Sequence, residues 1–214
     1  MKINRLKGFG EKTKIAPSRT RTHNVKTKKS IQANPSKAFI NKTLADMSKK
    51  SHKAVILDGP DMKTTKALIK GGWSPNNIYN VNCSKDYYAI AKKHKKTYNC
   101  SMYEFLDERK NGKKQISLIY LDYMSTWGGN SVSRPQEDLL LLFYENLLIK
   151  GATLGITLSS RSKRDVEVFK HQDMGKVISY IHMLAHDANR EVELVTGGVY
   201  NNAGSMFSLI FKVI

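Results

Sequence analysis

From residue 54 onward, short apolar runs alternate with stretches whose apolar positions recur at helical spacing. The runs are AVILD (54–58), NIYNVN (77–82), KTYN (96–99), ISLIYLD (116–122) and GATLGITLS (151–159). Between them lie MKTTKALIKGG, SKDYYAIAKKH, SMYEFLDERK and RPQEDLLLLFYENLLIK, each of roughly helical length with Ser or Pro near its start. Apart from Ser117, ISLIYL is apolar in a continuous run rather than at every second position, as in a parallel strand covered on both faces by crossover helices. The pattern predicts an α/β sandwich with a mostly parallel sheet. Upstream, Ser36 is an N-cap candidate, and Phe39, Ile40, Leu44 and Met47 predict a short helix before the first strand. Downstream, Val166, Phe169, Val177, Ile178, Ile181 and Leu184 form one stripe of a long helix. The stretch EVELVTGGVYNNAGSMFSLIFKVI then reads as two β-rich runs around a Gly/Asn-rich loop, a C-terminal antiparallel hairpin. Residues 1–35 show no period that buries a face, so they read as a flexible basic arm ahead of a domain spanning 36–214.

Charge gives that arm a role. Residues 1–53 carry 15 Lys and Arg against Glu11 and Asp46, a net of +13 out of +18 for the 214-residue chain. Such an arm gains affinity for a polyphosphate by releasing condensed counterions, so Arg19, Arg21, Lys26, Lys28 and Lys29 point to nucleic acid as partner. Arg161, Lys163 and Arg164 follow the fifth strand, where positive charge can guide a backbone toward a cleft. A solubilising tail, a nuclear-import signal and a solvated helix start are the competing accounts. The chain has no run of about 18 apolar residues and no apolar leader in MKINRLKGFGEK, which predicts a soluble, intracellular protein with no membrane partner. Cys83 and Cys100, the only cysteines, lack metal-site spacing and read as small buried residues. His182 and His186 share a helix face that can bind zinc, but HMLAHD holds no adjacent Glu, and a solvated face is expected. Abundant Lys, Asn, Ile and Tyr fit an AT-rich genome, such as that of a large virus or a parasite.

Five alternating strands, a long helix and a terminal hairpin resemble the S-adenosylmethionine-dependent methyltransferase fold, a seven-stranded Rossmann-like sheet whose last strand inserts antiparallel between the fifth and sixth. The resemblance covers about residues 37–214 and rests on element order. In this fold ligands bind outside the carboxyl ends of the parallel strands, near the topological switch point. After the first strand the family carries an acidic residue and a glycine-rich turn, and Asp58, Gly59, Pro60 and Asp61 occupy that place, followed by Thr64 and Thr65. Gly59 permits a close backbone approach, while Pro60 removes an N–H. The other account is a tight turn in which Asp61 caps the helix. At the second strand end, where the family places a ribose-binding carboxylate, the chain offers Asn80 and Asn82; an amide accepts without the charge that strengthens such a bond. Asn82 can equally form an Asx turn into a helix starting at Ser84. Asn99 and Ser101 stand where family members hydrogen-bond adenine, and Ser101 with Glu104 also spells a capping box.

At the fourth strand end, amino-methyltransferases acting on nucleic-acid bases have an acidic or amide residue, two prolines and an aromatic. Here Asp122 and Tyr123 match the first residue and an aromatic, without prolines, and Trp127 follows. Tyr123 or Trp127 would stack on an extruded base; alternatively Tyr123 packs at the sheet edge and Trp127 anchors its loop. A ribose 2′-O-methyltransferase would instead need a lysine-centred tetrad, sketched from Asp122 with Lys53, Lys163 and Glu193. The resemblance thus implies a methyltransferase that uses S-adenosylmethionine on DNA or RNA, with a base amine ranked ahead of the ribose 2′-OH. Asp122 and Tyr123 would sit at the transfer point. The alternative is a catalytically inactive protein of the same fold that binds nucleic acid or serves a structural role. An open pocket lined by Asp58 and Gly59 separates the two.

Overall fold

The computed structural model describes residues 35–94, 96–110, 116–130, 133–159, 166–201 and 205–214. Along the chain run α1 (Pro35–Met47), β1 (Lys53–Leu57), α2 (Lys63–Lys70), β2 (Ile78–Val81), α3 (Lys85–Ala91), β3 (Thr97–Tyr98) and α4 (Met102–Asp107). They are followed by β4 (Ile116–Asp122), α5 (Pro135–Tyr144), β5 (Leu148–Ser159), α6 (Val166–Asp187), β6 (Val192–Asn201) and β7 (Ser205–Val213). The strands form one seven-stranded sheet in the order β3-β2-β1-β4-β5-β7-β6. Pairs from β3 through β5 are parallel. β7 lies between β5 and β6 and is antiparallel to both.

The uninterrupted apolar runs follow from this layering, because alternate residues of a strand face opposite sides of the sheet. Ala54, Ile56, Leu118 and Tyr120 pack with Leu44 of α1 and Leu68 of α2. Val55, Ile119 and Leu121 pack on the other side with Phe105 of α4, Leu142 of α5 and Ile181 of α6. Burying each of the Val, Leu, Ile and Phe side chains stabilises the fold by about 1.5–3 kcal/mol. α1 comes so close to the sheet that a Cβ on Gly155 of β5 would lie 2.9 Å from Leu44 and 2.8 Å from the Tyr120 ring.

Three boundaries differ from the sequence reading. α1 starts at Pro35, which places Ser36 inside the helix rather than at its cap. α5 ends at Tyr144, and β5 begins at Leu148, so LIK belongs to the strand rather than to the helix. The cause is Asn146, which takes a left-handed φ of 53° and reverses the chain while the Leu147 N–H bonds back to Leu142 O at 3.1 Å. α2 is not capped by Asp61, which is exposed and pairs with Lys63 at 3.3 Å.

Candidate active site

The carboxyl ends of β1 to β4 surround a cavity of about 410 Å³, in the size range of small-molecule sites. It opens where the strand order reverses between β1 and β4, the position at which open α/β sheets take their ligands. Asp58, Gly59, Pro60, Asn82, Ser101 and Asp122 are part of its wall. A Cβ on Gly59 would meet nothing within 4 Å, so the turn after β1 faces open space.

The polar groups on the β1–β2 side are held by the fold. Asp58 is 7% exposed, and its carboxylate accepts from the backbone N–H of Thr65 at 2.8 Å, from Thr65 Oγ1 at 2.9 Å and from the Thr64 N–H at 3.4 Å. This remote carboxylate does the capping that the competing account gave to Asp61, because Met62 at the N-cap is left-handed, with φ 52°, and makes no side-chain cap bond. A left-handed non-glycine costs about 1–2 kcal/mol, offset here by burial of the Met62 side chain. Burial raises the Asp58 carboxyl above its usual range against those hydrogen bonds, and the Asp122 charge adds to the rise. Asn82 donates to Asp58 O at 3.0 Å and accepts from the Ser84 N–H at 2.9 Å, the Asx turn that opens α3. Asn80 is turned inward onto Thr65 Oγ1, at 3.1 Å. Asn99 donates to Asn82 O at 3.0 Å, and Ser101 with Glu104 forms a full capping box.

Charge is concentrated at the β4 end. Lys37 of α1, on the sheet face that carries Tyr120, forms an ion pair with Asp122 Oδ2, the two side chains each 19% exposed. Lys37 also donates to Tyr120 OH at 2.8 Å, and Tyr120 continues to Thr157 Oγ1 at 2.8 Å and on to Ser208 Oγ at 2.6 Å. Tyr123 is buried, and its hydroxyl donates to Asp138 Oδ2 on α5. Burial, then the Asp138 charge, hold the Tyr123 phenol well above its usual range, while burial pushes the Asp138 carboxyl up to about 6. Asp138 Oδ1 is buried with no hydrogen-bond partner among the described residues. Trp127 packs edge-on against Tyr180 of α6, ring centroids 5.3 Å apart, outside the residues that line the cavity.

Several expected residues are not brought to this site. Lys53 opens β1 and so lies at the opposite end of the parallel strands from Asp122. Glu193 pairs with Lys212, four registers away from the Ser208 level that faces Thr157 and Asp122. His182 and His186 are exposed, and no group of three metal-ligating side chains occurs among the described residues. Arg19, Arg21, Lys26, Lys28, Lys29, Arg161, Lys163 and Arg164 lie outside the described residues. Cys83 is exposed and Cys100 half-buried, both on the cavity wall rather than in the core. Lys37 escaped sequence reading because its partner lies 85 residues away, and Asp138 carried only a weak signal, an acid within the apolar helix PQEDLLLLFY.

No family model matches this chain, and no curated protein matches it in sequence. Solved structures do match in fold. A candidate rRNA methylase from Clostridium thermocellum aligns with TM-score 0.58 at 10% identity, over 86% of this chain and 100% of that one. An O-methyltransferase from Bacillus cereus in complex with SAH gives 0.55 at 14%, over 86% and 83%. TYW2 from Pyrococcus horikoshii in complex with MeSAdo gives 0.52 at 12%, over 86% of this chain and 65% of TYW2. The chain likewise spans 66% of a candidate transferase from the same organism. The sheet order with its inserted β7, together with these likenesses, makes the fold the seven-stranded Rossmann-like methyltransferase fold. No described helix is long and apolar enough to cross a membrane.

Proposed function

On the premise of that fold, we propose that the chain is a methyltransferase that takes S-adenosylmethionine as cofactor and nucleic acid as substrate. The observation that carries the proposal is the open cavity at the switch point, with free space above Gly59. A relic of a lost site would be filled by side chains, as protein interiors are. Asp58, Gly59, Pro60, Asn82, Asn99 and Ser101 are the proposed cofactor side, where the Asp58 carboxylate fixes the turn and Gly59 lets a ligand approach the backbone. When bound, the cofactor supplies an electrophilic methyl group. Asp122 forms the acceptor side, and Tyr123, buried beside it with its hydroxyl on Asp138, supports that wall rather than offering a stacking face. Lys37 holds Asp122 through Oδ2, which leaves Oδ1 to accept from a hydrogen-bond donor such as a base amine in the cavity that Asp122 lines. The contribution of these residues is orientation and acceptance of an amine proton, both established sources of rate. RNA is favoured over DNA by the rRNA methylase among the structural neighbours. Arg19, Arg21, Lys26, Lys28, Lys29, Arg161, Lys163 and Arg164 are proposed to hold the polymer, with Trp127 near its path.

One observation favours the inactive, nucleic-acid-binding alternative: both ends of the Asn82 amide already have partners within the chain, where a ribose carboxylate is expected. Titration calorimetry of the nucleic-acid-free protein with S-adenosylhomocysteine decides between them. The proposal expects micromolar binding that is lost in Gly59→Leu, a variant the fold accommodates because the space is empty. Absence of heat and of thermal stabilisation at millimolar ligand would establish the inactive reading. Deleting residues 1–34 should weaken RNA binding and flatten its dependence on salt, as expected when the arm supplies most of the released counterions.

A further inference from the structure

The two cysteines occupy matched positions at the ends of neighbouring strands. β2 and β3 pair in parallel with Asn80 opposite Thr97 and Val81 opposite Tyr98. Cys83 and Cys100 each follow two residues after these strand ends. Beyond the strand ends the two segments stay joined at the residues just before the cysteines: the Asn82 N–H bonds to Tyr98 O at 3.0 Å, and the Asn99 side-chain amide donates to Asn82 O at 3.0 Å. Adjacent strands stand about 4.8 Å apart. That separation lies within the roughly 4.4–6.8 Å between Cα atoms that a disulfide spans. Both side chains line the same cavity, both are free thiols, and each lies close enough to Glu104 to feel its charge.

We propose that Cys83 and Cys100 form a dithiol that closes to a disulfide across the β2–β3 wall of the cavity and thereby controls ligand entry. The oxidant is a low-molecular-weight disulfide. A thiolate at Cys83, the exposed member, attacks one sulfur of that disulfide, releases one small thiolate and leaves a mixed disulfide on the protein. The Cys100 thiolate then attacks Cys83 Sγ, forms the internal S–S bond and releases the second small thiol. Two protein thiols lose two electrons and two protons, and the external disulfide gains them. Partial burial, Glu104 and, at Cys100, Glu108 push both thiols up, with Arg109 opposing at Cys100, so the dithiol exchanges slowly at neutral pH and faster in mild alkali.

The test treats the full chain with oxidised glutathione at about pH 8.5, near the ordinary thiol range, followed by intact mass and non-reducing peptide mapping. The expected product has lost two hydrogens and joins the peptides that carry Cys83 and Cys100. Cys100→Ser should stop at a glutathione adduct on Cys83, and phenylarsine oxide should bridge the wild-type pair but not either serine variant. Stable glutathione adducts on wild-type protein, with no internal bridge, would overturn the dithiol. The effect on the cavity rests on the cofactor reading and is measured separately: S-adenosylhomocysteine affinity should fall at least tenfold on oxidation and return on reduction. Unchanged affinity in the bridged protein would overturn the gating role. Failure of the reduced protein to bind the ligand would overturn the cofactor reading and the gate together, while leaving the mass result to stand for the dithiol itself.

Discussion

The two sides of the cavity are built from similar residues put to different use. After β1 and β2, Asp58 and Asn82 are tied to the chain's own backbone, so their hydrogen bonds hold a helix and a turn in place. After β4, Asp122 and Asp138 are bound only by the tips of other side chains, Lys37 and Tyr123, and Asp138 keeps one oxygen with no partner among the described residues. A carboxylate that caps a helix is part of the scaffold. One held by a flexible lysine or by a phenol can be drawn into chemistry. Glycine-poor as it is, the turn after β1 keeps its shape through Asp58 instead of through backbone freedom.

Four substitutions test this division, beginning with the largest effect. Asp58→Ala leaves two buried N–H groups and the Thr65 hydroxyl without their acceptor, and should cost about 3–4 kcal/mol by urea denaturation. A loss below about 1 kcal/mol would remove Asp58 from the scaffold. Asp138→Asn is next and acts in the opposite direction. The Asp138 carboxyl is raised from 3.8 to about 6, so the folded state holds its proton more tightly than the unfolded chain does. The stabilisation from that proton is complete below about pH 4 and lost as pH rises through about 6. An amide accepts from Tyr123 without the charge, so this variant should gain about 2–3 kcal/mol at pH 7 and lose the slope between pH 4 and 6. Lys37→Met should cost about 1–2 kcal/mol, between the values for exposed and buried pairs, and should depress methyl transfer more than cofactor binding. Lys42→Ala removes the same kind of pair from the solvent side of α1, where Lys42 and Asp46 are 76% and 54% exposed, and should change stability by less than about 0.5 kcal/mol. Equal costs for the two lysines would dissolve the distinction.

Much of the sheet was legible because its strands are apolar on both faces, and both faces are in fact covered. The order of the last three elements was legible too, since a long helical stripe followed by two β-rich runs leaves few topologies. Local capping was half legible. Ser101 with Glu104 reads correctly because the box lies within four residues, whereas the α2 cap comes from Asp58, six and seven residues before the groups it binds. The helix end at Tyr144 was signalled by Asn146, but the apolar residues after it, Leu147 and Leu148, fit a helix or a strand equally well. The site was least legible. Lys37 meets Asp122, and Cys83 and Cys100 reach one cavity wall, only after the sheet has chosen its order, and neither is a property of any short window of sequence.

The position of β7 has a consequence for how the molecule is made. Synthesis completes β5 well before the strand that pairs with it on that side, so β5 keeps an unpaired edge until residues 205–213 are in place. The parallel half from β3 to β5 can pair during synthesis, but β6 has no place to dock until the final strand threads in. Until β7 is inserted, the free edge of β5 is the part of the sheet most open to strand-to-strand aggregation.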